Sequence, residues 1–295
     1  MLLQAFLHQI APFILRHDLL KDLHMIVNGS SETQLDITDR ATQYGDGCFT
    51  TMLVKDGKVK YWDAHLTRLQ STCERLFISS INWGELTLHV SELAKQQALS
   101  VLKVLISRGS GGRGYSPEGA NTPVYIVSQH SFPAHYQDWQ RKGIELNVSS
   151  ITLAKQPLLA GLKHLNRLEQ VLIKHELAND AFQDCLVLDT DDVIVESSVG
   201  NVFWYGENAW HTPALNFSGV EGVMRNQVMA YLSANQVPIH QCREGLNSIQ
   251  SASEVFVCNS LMGIVPVSAI EFSDGHRAYY LSEKTRDLQN GVMNY

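Results

Sequence analysis

The chain has 295 residues, 44% apolar and 18% charged, which is enough for two compact lobes and argues against a disordered protein. A formal net charge of -7 leaves no broad basic surface, which argues against nucleic acid as the main partner. The five cysteines, Cys48, Cys73, Cys185, Cys242 and Cys258, are scattered without a C-x-x-C pair, so neither a disulfide framework nor a zinc site is expected and a reducing cytoplasm suits them.

Residues 1–15, "MLLQAFLHQIAPFIL", are apolar but contain His8 and Pro12 and lack a basic leader and a cleavage site. They are too short and too interrupted to span a bilayer. Residues 1–24 as a whole read as an N-terminal extension, either an extra helix or a product of start-site choice, with the folded part beginning at Met25. "MIVNG" and "GDGCFTTMLVKDGKVKYW" read as strands, with a hairpin turn at Asp56-Gly57. "DAHLTRLQSTCERLF" reads as a helix capped by Asp63, with Leu66, Leu69, Cys73 and Leu76 as its apolar stripe. A second helix, "ELTLHVSELAKQQAL", precedes the strand "VLKVLISRG", a glycine-rich loop and the strand "PVYIVSQ". Residues 25–133 are thus expected to form a small α/β domain and 134–140 a linker.

The larger domain, 141–295, opens with the strand "IELNVSS". "NRLEQVLIKHELAN" reads as a helix, with Leu165, Leu168 and Leu172 as its core anchors. "DCLVLDTDDVIVESSVGNVFWY" reads as three strands, "GVEGVMRNQVMAYLSAN" as a loop feeding a helix, and "SEVFVCNSLMGIVPVSAI" as a strand, a polar break and an apolar segment. The whole is mixed α/β in two lobes.

Several stretches carry chemistry. "GSGGRG" matches G-x-G-x-x-G, but Pro117 and Gly119 follow where a helix should open, so a dinucleotide site is not expected. Arg108 and Arg113 around this loop suit an anion, or are solvated arginines on a mobile turn. Lys163 lies among leucines just before a helix. The helix dipole and partial burial would both lower its pKa and make it a nucleophile; a snorkelling surface lysine has the same local pattern. Glu196 ends an apolar strand, where it can meet a protonated ring nitrogen or simply water. "GVEGVMRN" offers backbone N–H groups before a helix, a generic phosphate cradle. Arg68 supplies an arginine within "HLTRLQ".

"DRATQYGDGCFTT", "ISRGSGGRGYS", "AGLKHLNRLEQVLI" and "VESSVGNVFW" closely resemble the aminodeoxychorismate lyase branch of the fold-type IV pyridoxal-phosphate enzymes, which also include branched-chain and D-amino-acid aminotransferases. The resemblance covers residues 25–270. It implies a two-domain α/β fold with mixed sheets, pyridoxal 5'-phosphate (PLP) as cofactor and a homodimer; with no H-E-x-x-H and no metal-spaced histidine cluster in the sequence, no metal is expected. It implies that Lys163 links to the cofactor and that Glu196 partners its ring nitrogen. Arg68, Val223, Met224 and Ser260 would lie at the phosphate, with Asn259 in the same strand-end turn. Arg113 and Tyr115 would meet substrate carboxylates, with Arg108 beside them. Thr50 stands where the aminotransferases carry glutamate, which favours the lyase and makes Thr50 a second catalytic candidate. The implied reaction converts 4-amino-4-deoxychorismate to 4-aminobenzoate and pyruvate, a step of folate biosynthesis. The alternative is an aminotransferase of the same fold acting on branched-chain or D-amino acids.

Overall fold

The structure, a computed structural model, describes residues 25–30, 34–178 and 180–293. The expectations for residues 1–24 fall outside the described residues. The described residues group into two compact units, 25–62 with 73–132, and 63–72 with 133–293.

The first unit is built on an antiparallel sheet of β1 (Met25–Val27), β2 (Gly47–Lys55), β3 (Lys58–Val59), β4 (Leu99–Ser107) and β5 (Val124–His130), in the order β1-β5-β4-β2-β3. Along β2 the side chains of Cys48, Thr50, Met52 and Val54 are buried and those between them only half-buried, the period of two that a one-faced sheet requires. Thr50 is the polar member of that row and is fully buried. The β2–β3 hairpin turns through Asp56 and Gly57, both with positive φ (53° and 69°), the backbone that a tight two-residue hairpin needs. The helices are α1 (Arg40–Tyr44), α2 (Trp62–Arg75), whose residues 63–72 group with the second unit, and α3 (Trp83–Ala94). Asp63 sits inside the first turn of α2 instead of capping it.

The second unit holds a nine-stranded mixed sheet. Its strands are β6 (Ile144–Val148), β7 (Asp184–Leu188), β8 (Ile194–Ser197), β9 (Asn201–Gly206), β10 (Ala209–Pro213), β11 (Ile239–Cys242), β12 (Glu254–Asn259), β13 (Gly263–Glu271) and β14 (Arg277–Tyr279). The order is β11-β10-β9-β12-β13-β6-β7-β8, with β14 on β13. Every residue of β7 and β8 is buried, as expected of strands covered on both faces. The expected linker is instead a helix, α4 (His135–Lys142), whose Tyr136 and Trp139 pack on the core around β6 and β13.

Helix α5 spans Leu168–Leu177, so Lys163 lies five residues ahead of it and the helix dipole has little hold on the amine. The anchors of α5 are Ile173 and Leu177, packed against Cys185, Val187 and Val195, each burial worth about 1.5–3 kcal/mol. The expected anchors are displaced: Leu165 is half-buried, while Leu168 (78% exposed) and Leu172 (55%) face outward, as does Val171 (60%) between them. The remaining helices are α6 (Val223–Ala234), α7 (Leu246–Gln250) and α8 (Glu283–Met293). Among the described residues no helix is long and apolar enough to cross a membrane.

Candidate active site

Lys163 stands in irregular chain that is held from two sides. On its N-terminal side Gly161 bridges to residues 219–221: its N–H donates to the Gly219 carbonyl at 3.0 Å, and its carbonyl accepts from Glu221 N–H at 3.0 Å. On the other side Arg167 donates from Nε to the His164 carbonyl at 2.9 Å and from Nη2 to the Leu162 carbonyl at 2.7 Å.

Glu196 is placed by β8, opposite Val187 of β7, and is 6% exposed. Its Oε2 accepts from Val220 N–H at 2.9 Å, and the Val220 carbonyl accepts from Asn201 Nδ2 at 2.8 Å. Residues 219–221 therefore tie the carboxylate strand to the lysine segment, which puts both candidates in one small region of the second unit. Burial pushes the Glu196 carboxyl up; the Val220 N–H, the Arg167 and Lys163 charges and the Gln170 side chain oppose this without cancelling it. A buried acid with raised proton affinity suits a partner that brings an N–H proton and a positive charge.

The first turn of α6 follows directly. Its cap, Gly222, receives no side-chain bond. A Cβ there would stand 2.1 Å from Asn201 Oδ1, so a larger residue would push aside the Asn201 side chain that bonds the Val220 carbonyl. Val223 and Met224 are buried at the first helical positions, where the helix itself offers their N–H groups no acceptor. N–H groups of that kind can receive an anion, and the dipole of a 12-residue helix would favour one. Arg68 of α2 lies one turn from His65, a fully buried imidazole. Burial, then the Arg68 and Lys163 charges, hold His65 well below the ordinary histidine range, so it is neutral near neutral pH. Ser260 is half-buried in the turn after β12. Asn259, expected at the cofactor, is committed to building that turn: its Oδ1 accepts from Leu261 and Met262 N–H, both at 2.8 Å, and its Nδ2 donates to the Val199 carbonyl at 3.1 Å.

The arginines of the glycine loop, in the first unit, separate into two kinds. Arg108 forks onto Asp46 (2.7 and 2.9 Å) and donates to the Leu76 and Phe77 carbonyls, both at 2.7 Å. Four of its five N–H donors are spent, so it braces the loop and is not an open fork for a substrate carboxylate. Arg113 and Tyr115 are exposed, Tyr115 at 88%, against the edge of Tyr44. The organiser of this loop is Arg40, which the sequence did not single out. It is buried, pairs with Asp46 at 2.8 Å, and donates to the carbonyls of Gly111, Gly114, Tyr115 and Ser116. Burial raises the Asp46 carboxyl, but its bonds to Arg108 and Arg40 outweigh that and hold it low. Gly109 has φ of +89°, and a Cβ there would meet the Thr122 carbonyl at 1.9 Å, so this backbone admits only glycine.

His164 gives the site a measurable pH signature. Burial, then the Arg167 and Lys163 charges, push its imidazole down from 6.5 to about 4. A histidine depressed in the folded state binds its proton more readily when unfolded. Its stabilising effect is therefore full above pH 6.5 and lost as pH falls from 6.5 toward 4. We expect the urea midpoint to drop across that window and His164→Gln to remove roughly 1–2 kcal/mol of the drop, after discounting for the ring's partial exposure. An identical pH dependence in the variant contradicts this.

Residues 47–270 match the family model described as amino-transferase class IV. The chain is 39% identical over 266 residues to an aminodeoxychorismate lyase of Vibrio harveyi, covering 90% of this chain and 98% of that protein. It is 26% identical to a D-alanine aminotransferase of Bacillus licheniformis, over 90% and 94% of the two chains. The crystal structure of 4-amino-4-deoxychorismate lyase from Pseudomonas aeruginosa superposes with a TM-score of 0.85 at 34% identity, over 90% of this chain and 97% of that one. The mixed α/β fold expected from the resemblance is thereby borne out, and the chain belongs to the class IV aminotransferase family.

Proposed function

We propose that the protein is a PLP-dependent lyase that converts 4-amino-4-deoxychorismate to 4-aminobenzoate and pyruvate, the step that supplies 4-aminobenzoate for folate. The observation that carries this reading is 39% identity across 98% of the Vibrio harveyi lyase, against 26% for the D-alanine aminotransferase. The donor set fits the cofactor. Lys163 offers an amine for its aldehyde, buried Glu196 an acceptor for its ring N–H, and the first turn of α6 with Arg68 a seat for its phosphate. When bound, PLP supplies an electron sink for the carbon that carries the substrate nitrogen.

The chain's own side chains do the rest. Lys163 Nζ would hold the cofactor and, with the substrate bound, would take the proton from the carbon that carries the substrate nitrogen. Glu196 keeps the ring nitrogen protonated by holding a negative charge where water is excluded. The neighbouring C–O bond breaks with its electron pair going to oxygen, the substrate ring becomes aromatic, and the three-carbon fragment leaves as an enolate. Lys163 Nζ would return the one proton it took to the enolate carbon, which gives pyruvate. Arg113, exposed on the loop that Arg40 holds, is assigned to a substrate carboxylate as a two-pronged donor. The rival reading is separated by supplying an amino-acid donor and a keto-acid acceptor. Sustained exchange without 4-aminobenzoate would favour the aminotransferase.

We further propose that the protein acts as a homodimer in the cytoplasm. Leu168, Val171 and Leu172 form an exposed apolar stripe on α5, and Leu158 nearby in the chain is 80% exposed. Contiguous apolar surface of this kind marks an interface, and a second copy is the occupant that the family resemblance implies. Leu168→Asp with Leu172→Asp is expected to shift the sedimenting species from dimer to monomer. A wild-type chain that sediments as a monomer at micromolar concentration contradicts the proposal.

A further inference from the structure

Arg167 breaks a local rule. It is the N-cap residue of α5, makes no side-chain capping bond, and places a cation at the positive end of a helix, where acidic residues are favoured. Its guanidinium is also largely withdrawn from water, and burial lowers its pKa. Such a placement costs free energy unless the charge has partners.

The partners are specific. Nε and Nη2 grip the His164 and Leu162 carbonyls at 2.9 and 2.7 Å, so one rigid fork spans the main chain on both sides of Lys163. Through space the charge is favoured by two carboxylates, Glu196 and then Glu169. Glu169 is in turn turned aside, accepting from Ala154 N–H at 2.7 Å, whereas Glu196 is the carboxylate assigned to the cofactor ring. The other groups in this neighbourhood are His65 and Arg68 of α2 and His164, and both histidines are driven toward the neutral form. Arg167 is therefore a cation that bonds the lysine segment directly and acts through space on the buried carboxylate.

We infer that Arg167 is a positioning residue for the reaction: it fixes the main chain that aims Lys163 and balances the charge of Glu196. The inference rests on the assignment of Lys163 as the cofactor-linking amine. Two actions are implied, and two variants separate them. Arg167→Lys keeps the charge but loses the planar fork that spans two carbonyls. Arg167→Gln loses the charge and keeps at most one of the bonds.

The experiment uses the PLP-loaded enzyme and reads kcat, KM and the pH dependence of the absorbance of bound PLP. Arg167→Gln is expected to lower kcat about 100-fold with KM changed by no more than about threefold, since misaiming by about an ångström has that scale of effect. The pH midpoint of the absorbance change should rise by about one unit, because removing a cation raises the proton affinity of a nearby nitrogen. Arg167→Lys should lose about 10-fold in kcat and keep the wild-type midpoint, which makes it informative even if the glutamine variant folds poorly. Wild-type kcat and midpoint in Arg167→Gln overturn the inference, as does a loss confined to KM. Failure of the lyase assignment has a different signature: the wild type would bind PLP through Lys163 and form no 4-aminobenzoate, and the absorbance comparison would still decide the role of Arg167.

Discussion

Lys163→Ala is expected to abolish the covalent link to PLP and to lower lyase turnover by about 10³-fold or more. A positioned acid–base group contributes about 10²–10⁴-fold on its own, and in the proposed role the same amine would also capture the cofactor covalently. The check is borohydride reduction followed by peptide mass analysis. In the wild type the cofactor mass should appear on the peptide containing Lys163, and in the variant it should vanish. The fold should survive the change. The Lys163 segment is held by main-chain bonds from Gly161 to residues 219–221 and by Arg167 on the Leu162 and His164 carbonyls, none of which uses the lysine side chain. Cofactor trapped on another lysine, or turnover within about tenfold of wild type, would remove Lys163 from the centre of the mechanism.

Glu196→Gln is expected to retain PLP and slow turnover by about 10- to 100-fold. The amide oxygen can still accept from Val220 N–H, as Oε2 does at 2.9 Å, so the link between β8 and residues 219–221 persists. What is lost is the negative charge that, in the proposed role, would keep the cofactor ring nitrogen protonated. A hydrogen bond to a charged partner is worth about 1.5–3 kcal/mol, which sets the scale of the loss. Protein-observed loading of PLP separates this from a binding defect: loading should be near stoichiometric while kcat falls. An unchanged kcat argues that Glu196 does not serve the ring nitrogen.

The regular parts of the fold were legible because burial repeats along them. Cys48, Thr50, Met52 and Val54 alternate inward along β2, and a reader of the sequence sees that period directly. The apolar runs of β7 and β8 are equally plain. The lysine segment has no period to read, since residues 161–167 are irregular and are held by partners far along the chain, at 219–221. Lys163 and Glu196 were singled out by their local pattern and took their proposed roles from the resemblance, whereas Arg167, Val220 and Asn201 were missed, because their contributions are bonds to the main chain that residue type does not encode. A cation at the start of α5 was the one visible clue to Arg167. Leu168 and Leu172 misled for a different reason: an apolar residue on a helix declares that it will be covered, but not whether its own core or a second chain covers it. Arg108 and Arg113 are alike in sequence context, and only the meeting of Arg108 with Asp46, 62 residues away, shows which of them is already engaged.

The most direct measurement is turnover of 4-amino-4-deoxychorismate by the purified protein, with 4-aminobenzoate and pyruvate followed together, with and without PLP. The lyase reading requires the two products in equal amounts, formation that depends on PLP, and no need for a keto-acid acceptor. Absence of 4-aminobenzoate from PLP-loaded protein would contradict it.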